Sequence, residues 1–379
     1  MKIPFNKPLI IGKELEYITE AATKNIWLAG DGAFTHKCQK WLEQRLKCPQ
    51  VLLTHSCTAA LEMCAILCNI RPGDEIIMPS YTFVSTANAF VLRGGIPVFL
   101  DIRPDTLNID ETLIESALTE KTKAIVAVHY AGAACEMDRI MKIARKHRLL
   151  VIEDAAQALL STYKKKQLGT IGDLGTVSFH ETKNIISGEG GALFINNKRF
   201  NDRSEILREK GTNRTRFFRG EIDKYTWVDT GSSYLPSELT AAFLYAQLEN
   251  ADRIIARRCK LHALYHRLLS PLAEKTDLEI AGRNTTGMTN NGHLFYILVK
   301  DRQERTALIR HLKQAGIEAT FHYVPLHTSP AGRKFARTAG RLPNTVRLSE
   351  RILRLPLYYD MTEAQVQKVV DRIQRFYEK

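Results

Sequence analysis

From Val51 to Ile195, short apolar runs alternate with segments of helical periodicity, and this alternation constrains the fold more than any other feature of the chain. Runs such as IPVFLDI (Ile96–Ile102), AIVAV (Ala124–Val128) and LLVI (Leu149–Ile152) lack a polar face, so they suit strands buried on both sides. The stretches between them, Thr58–Ile70, Ser85–Leu92, Asp110–Leu118 and Glu136–His147, read as helices. Strand and helix in repetition predict a parallel α/β sheet. Two further runs, Leu174–Phe179 and Gly190–Asn196, read as core strands on either side of a polar, glycine-rich loop.

Beyond Leu239 the texture changes. Ala241–Leu269 reads as a long helical connector, His293–Val299 as a strand, Arg305–Ala315 as a helix closed by Gly316, and Ile317–Tyr323 as another strand. A last helix, Thr362–Tyr377, places Val366, Val369, Val370, Ile373 and Phe376 at helical spacing. With 379 residues to fold, the expectation is a large α/β domain over residues 1–250, including the N-terminal segment, and a smaller α/β domain over 251–379.

Several function classes are set aside at this point. No apolar run approaches a membrane span, and the opening MKIPFNKPLIIGKELEY lacks the apolar core of a secretory signal. The seven cysteines form no CxxC pair and read as reduced thiols of a cytoplasmic protein, not as a disulfide frame or zinc site. A net charge of +13 invites a nucleic-acid reading. The basic residues are dispersed, however, apart from Lys164–Lys166 (read as a solvated turn) and Arg214, Arg216 and Arg219, and no nucleic-acid motif accompanies them. Small phosphorylated substrates suit such a surface better.

Candidate site residues fall where strands end. Lys183 lies in the loop between the two core strands, as an ordinary surface residue or as a nucleophile. Asp154 ends the strand LLVIED, either capping the next turn or keeping a heteroaromatic nitrogen protonated. His55–Ala60 (HSCTAA) turns from strand into helix, where free N–H groups and the hydroxyls of Ser56 and Thr58 form an anion site. Ser178 can add a hydroxyl to the same anion, and Phe83 can lie on an aromatic ring. Together these are the parts that a pyridoxal 5'-phosphate (PLP) enzyme needs.

The motifs SCTAAL, GDEIIMPSYTFVSTANA, VHYAG, VIEDAAQ, SFHETKNIISGEGG, GTNRTRFFRGEIDKYTW, HYVPLH and LPLYYDMT carry a family resemblance along nearly the whole chain. The chain resembles the PLP-dependent sugar aminotransferases of the DegT/DnrJ/StrS group. Within it, the chain is most similar to the branch that makes dTDP-4-amino-4,6-dideoxygalactose for enterobacterial common antigen. The resemblance implies the type I PLP-dependent aminotransferase fold, with a mostly parallel central sheet in the large domain and a smaller C-terminal α/β domain. It implies a homodimer whose active site takes residues from both subunits.

By the same resemblance Lys183 is the Schiff-base carrier and proton shuttle, where relatives that dehydrate sugars carry a histidine. Asp154 pairs with the pyridinium nitrogen, Gln157 with the ring hydroxyl, Phe83 stacks on the ring, and Cys57, Thr58 and Ser178 hold the phosphate. Many relatives send an asparagine from the partner subunit to that phosphate, with an arginine two residues on. Here Ser233 and Leu235 stand at those places. Lys224, His322 and Tyr323 fall where the nucleotide sugar is expected, with His327, Arg214 and Arg219 as further candidates. The implied reaction moves an amino group from L-glutamate, through pyridoxamine phosphate, to the 4-keto carbon of dTDP-4-keto-6-deoxy-D-glucose. Alternatives are another nucleotide keto sugar, giving the glucose epimer or a 3-amino product, and a PLP-binding regulator without turnover.

Overall fold

The computed structural model describes residues 2–24, 27–280 and 287–378. In chain order its first strands are β1 (Gln50–Thr54), β2 (Glu75–Pro79), β3 (Ile96–Leu100), β4 (Thr122–Val128) and β5 (Leu150–Asp154). Then come β6 (Thr162–Tyr163), β7 (Lys166–Gln167), β8 (Leu174–Ser178), β9 (Gly191–Ile195), β10 (Glu279–Ile280) and β11 (Met288–Thr289). The last are β12 (Phe295–Leu298), β13 (Arg337–Thr338) and β14 (Ile352–Leu355). Eight of them make one sheet in the order β1-β9-β8-β5-β4-β2-β3-β13. Only β9 runs against its neighbours; the other pairings within this sheet are parallel.

Its central strands are apolar throughout because helices cover both faces. Ile77, Val98, Ile125 and Ala127 pack on one side with Met137, Ile140 and Ala144 of the helix Met137–His147. Ile76, Met78, Phe99 and Val126 pack on the other with Ala60, Met63 and Leu67 of the helix Cys57–Leu67. All the parallel strands end at one edge, so Thr54, Pro79, Val128, Asp154 and Ser178 lie along it, and β9 begins there at Gly191.

A second core forms around the sheet β10-β12-β14 and the helices Ala251–Ala273, Arg302–Gln314 and Glu363–Tyr377. In the last helix Val366, Val369, Val370 and Ile373 are fully buried, each contributing about 1.5–3 kcal/mol of apolar burial. Thr362 caps it by accepting from Gln365 N. We propose the division into large and small domains at residues 250 and 251, ahead of the helix Ala251–Ala273. Ile3 packs with the second core, and β13 borders β3 of the large sheet.

Three expectations change. Ile317–Tyr323 is not a strand: its backbone is shared, Ile317 bridging Ile3 and Thr320 bridging Arg354, so neither ladder extends. The segment Ala241–Leu269 is two helices, Glu238–Glu249 and Ala251–Ala273. They part at Asn250, whose side-chain amide donates to the Ala246 carbonyl in competition with the backbone. Asp110–Leu118 shrinks to a 3-10 turn and one α turn, ending where Leu118 becomes extended. The lysine run does form a turn, between β6 and β7, with Lys164 paired to Asp138 at 2.6 Å.

Candidate active site

Lys183 is carried on a compact loop between β8 and β9. Phe179 N donates to Gly190 O (2.8 Å), Glu181 N to Gly188 O (2.8 Å) and Lys183 N to His180 O (2.9 Å). Its half-buried side chain lines a cavity of about 210 Å³. Among the described residues its ammonium has no hydrogen bond or ion pair. Burial holds it below the usual lysine range, and the Arg354 guanidinium depresses it further, while Cys57 and Asp154 pull upward. An unpaired amine of lowered pKa beside a cavity is what a nucleophilic lysine requires.

Asp154 is 6% exposed yet forms no ion pair among the described residues. It accepts from Thr86 Oγ1 at 2.7 Å and from Ala156 N at 3.2 Å. A buried carboxylate held by two neutral donors suits a cationic partner brought by a ligand. Cys57 links it to the lysine: its thiol, pushed up to about 12 by burial, feels both Asp154 and Lys183.

The Cys57–Leu67 helix begins beside them. Ser56 caps it by accepting from Ala59 N (3.1 Å), leaving the first N–H groups facing the strand ends. Gly191 abuts this turn so closely that a Cβ there would stand 2.4 Å from Cys57 N. Because Gly191 also pairs with Ser178 and with Thr54, the register brings Ser178 to the same helix start. Thr58 Oγ1 meets Ser85 Oγ at 2.8 Å, which adds a hydroxyl that sequence reading did not single out. The site therefore has an anion cradle at one end and a carboxylate at the other, with a lysine between, which fits a phosphorylated pyridinium ring. Phe83, 57% exposed, holds its ring 6.3 Å from that of Tyr323, where it can cover such a ring.

Gln157 lines the Lys183 cavity, accepting from Ala131 N (2.6 Å) and donating to Tyr323 OH (2.8 Å). His322 lines it too and stacks on Tyr323 at 4.2 Å. Burial first, then Arg354 and Lys183, pushes the His322 imidazole down to about 2. Sequence reading missed Arg258, His293 and Arg354 in this wall. Arg354 lies inside the apolar run ILRLPL, and an arginine interrupting a buried strand was the available signal.

Other expected residues lie elsewhere on the chain. His327 Nδ1 is engaged by Ser80 Oγ at 2.7 Å. Lys224 and Ser233 are exposed, Ser233 in a bridge with Glu209. Arg214 and Arg219 line a second cavity of about 560 Å³ around Arg208, with Arg219 paired to Glu205 (2.8 Å) and Glu221 (2.6 Å). Within one chain none of these five reaches the Lys183 cavity lining.

The model of the DegT/DnrJ/EryC1/StrS aminotransferase family matches residues 8–374. The chain is 32% identical over 383 residues to the spore coat polysaccharide biosynthesis protein SpsC of Bacillus subtilis, covering 98% of this chain and 96% of that one. It is 30% identical over 376 residues to GDP-perosamine synthase of Escherichia coli O157:H7, covering 99% and 98%. A putative sugar aminotransferase of Streptococcus pneumoniae, solved in its PLP form, superposes with a TM-score of 0.91 at 26% identity over 100% and 99% of the two chains. No described helix is long and apolar enough to cross a membrane.

Proposed function

Given that this chain belongs to the DegT/DnrJ/EryC1/StrS aminotransferase family and is a PLP-dependent sugar aminotransferase, we propose that it transfers the amino group of L-glutamate to the 4-keto carbon of dTDP-4-keto-6-deoxy-D-glucose. The product is dTDP-4-amino-4,6-dideoxy-D-galactose, for surface polysaccharide such as enterobacterial common antigen. The observation that carries the reading is the unpaired, depressed Lys183 ammonium in one electrostatic cluster with the unpaired Asp154.

The cofactor, when bound, supplies an electron sink for the carbon that loses its proton. In this reading Asp154 holds a proton on the ring nitrogen, keeping it cationic. The helix start at Cys57 and Thr58, with Ser178, binds the phosphate. Gln157 orients the ring through its hydroxyl, and Phe83 covers one face and excludes water. Lys183 would hold the cofactor, and its neutral amine would accept and return the proton at the reacting carbon. Low pKa serves that step, because an amine that is often unprotonated can accept the proton.

Lys224, His322 and Tyr323 are assigned to the nucleotide sugar, and Ser233 to the phosphate of a partner subunit. A shared homodimer site is supported by the exposed Phe218, Tyr225, Trp227 and Val228, an apolar face beside Lys224 that suits a second copy. Seven free cysteines suit a reducing compartment, and we place the enzyme in the cytoplasm. A second reading, a GDP-linked or other keto sugar, is favoured by the similarity to GDP-perosamine synthase.

Mass and NMR analysis of products from a panel of dTDP-, UDP- and GDP-keto sugars with glutamate tests the choice. We expect the dTDP-4-keto sugar to give the 4-amino galactose product with the highest kcat/KM. A higher value for a GDP or UDP sugar, or a 3-amino product, overturns it.

A further inference from the structure

Asn184, the residue after Lys183, decides which nitrogen of a neighbouring imidazole carries the proton. It is buried, and its side-chain nitrogen donates to the Asn291 carbonyl at 2.9 Å. That bond fixes the amide, so Oδ1 is the atom that meets His293 Nδ1 at 3.1 Å. A carbonyl oxygen only accepts, so Nδ1 carries the proton and Nε2 keeps its lone pair. A second proton is disfavoured: burial first, then Lys183, Arg258 and Arg354, hold the imidazole well below its ordinary 6.5. The ring is neutral, with one nitrogen spent as a donor and the other left as an acceptor.

The surroundings hold that ring in place. His293 N donates to Asn291 Oδ1 (3.0 Å), and its carbonyl accepts from Arg258 Nη2 (2.6 Å). Asn291 is itself tied down, its side-chain nitrogen donating to the carbonyls of Gln157 (3.0 Å) and Leu159 (2.9 Å). His293 is 5% exposed and lines the Lys183 cavity, and among the described residues its Nε2 has no hydrogen bond. A buried acceptor left without a donor is costly, so this one points to a donor that arrives with a substrate. The charged side chains beside it in the lining, Lys183, Arg258 and Arg354, offer a substrate no acceptor of their own.

The chemistry of the two substrates says which of them brings the donor. An amino acid such as glutamate carries one donor group, its amine, which is used up at the reacting carbon, and its carboxylates only accept. A keto sugar carries neutral hydroxyls, and in a 4-keto-6-deoxy sugar the one at C3 adjoins the reacting carbon. We propose that His293 is a specificity-determining residue for the sugar half of the reaction. Its Nε2 accepts from the hydroxyl next to the keto carbon, and Asn184 sets the tautomer that makes this possible. The inference rests on the keto-sugar aminotransferase reading and deepens it by naming the part of the sugar that is recognised.

The test gives enzyme preloaded with pyridoxamine phosphate either the dTDP-4-keto-6-deoxy sugar or its 3-deoxy analogue, and follows the single-turnover rate by cofactor absorbance. Wild type should prefer the hydroxylated sugar by about 30-fold, the scale of one buried hydrogen bond left unmade. His293→Asn keeps an N–H for Asn184 and deletes the Nε2 position. It should bring the hydroxylated sugar to within about 3-fold of the 3-deoxy rate while leaving the 3-deoxy rate unchanged. His293→Gln, whose longer amide can place an oxygen near the lost Nε2, should recover part of the preference. The glutamate half, read from the loss of PLP absorbance, should change less than about 3-fold in both variants. Equal rates with the two sugars in wild type overturn the assignment. So does a His293→Asn variant that slows both sugars alike, or one whose glutamate half falls by as much as its sugar half. If wild type aminates a different keto sugar, the analogue of that sugar lacking the hydroxyl beside the keto carbon gives the same contrast, so an error about the sugar and an error about His293 read differently.

Discussion

Two groups of residues act on Lys183, and they form walls of different plan: the strand ends of the large sheet, outside the cavity lining, and the lining itself. The wall on the large sheet is made of strand ends: Asp154 closes β5, Ser178 closes β8, and the Cys57 helix starts just after β1. Among the described residues its polar groups keep free valence, including helix N–H groups, a carboxylate without an ion pair and an amine without a partner. The wall on the smaller sheet is made of side chains brought together from distant segments. Phe5 and Asn6 come from the N-terminus, Arg258 from a helix, His322 from the segment beside that sheet, and Arg354 from its strand β14. It is cationic and largely occupied with its own contacts. The first wall is suited to hold a cofactor through every step, and the second to meet substrates that come and go.

The largest effects should follow damage to the first wall. In the proposed mechanism Lys183→Ala removes both the covalent attachment and the proton carrier, so turnover should fall by at least about 10³-fold. Purified wild-type protein should be yellow, and the variant should lose that visible absorption. A yellow, active variant would remove Lys183 from the chemistry. Asp154→Asn keeps the size and the Thr86 contact but discards the charge. A loss of about 10²–10³-fold in kcat is expected, with the cofactor still bound. Single-turnover kinetics with glutamate decide it, and an undiminished rate would leave Asp154 as only a cap.

The contrast between the walls is also a contrast in what the sequence makes readable. Lys183, Asp154 and Ser178 each sit at or just beyond an apolar run, so periodicity alone marks the places where a loop meets a buried strand. The central sheet was readable for the same reason. Arg354 was not, because it interrupts a strand, and nothing local says whether such an arginine is buried, or against what. Arg258 and His293 are partners 35 residues apart across a helix and a loop. The strand expected at Ile317–Tyr323 failed on similar grounds: the apolar run is real, but Ile3 and Arg354, from opposite ends of the chain, divide its backbone between them. Local pattern reports local geometry, and the second wall has little of it.

Gly191→Ala probes how tightly the first wall is set. A methyl group 2.4 Å from Cys57 N has only backbone to displace, so the helix start must move or β9 must shift. Overpacking of this kind costs about 1–3 kcal/mol. The phosphate cradle should suffer with it, so the expected result is a lower melting temperature together with weaker PLP retention on dialysis. A variant that melts lower but retains PLP fully would show that the cradle is less dependent on this contact than the register implies.

The second wall should reveal itself by acid. Burial pushes the His322 imidazole down to about 2 and that of His293 well below its ordinary 6.5, with Lys183 and Arg354 among the charges acting on both. In the unfolded chain both rings protonate near 6.5, so below that pH the unfolded state binds more protons than the folded one. Stability is therefore full above about pH 6.5 and declines as the pH falls, the folded form resisting the charge that the unfolded form accepts. Denaturant unfolding of the apoprotein between pH 7.5 and pH 5 should show this slope. His322→Gln should flatten it. The effect is smaller than those of the first wall because it changes only the protonation balance of folding, with no bond to the reacting atoms lost. An unchanged slope in His322→Gln would mean that this imidazole accepts a proton in the folded chain as readily as in the unfolded one.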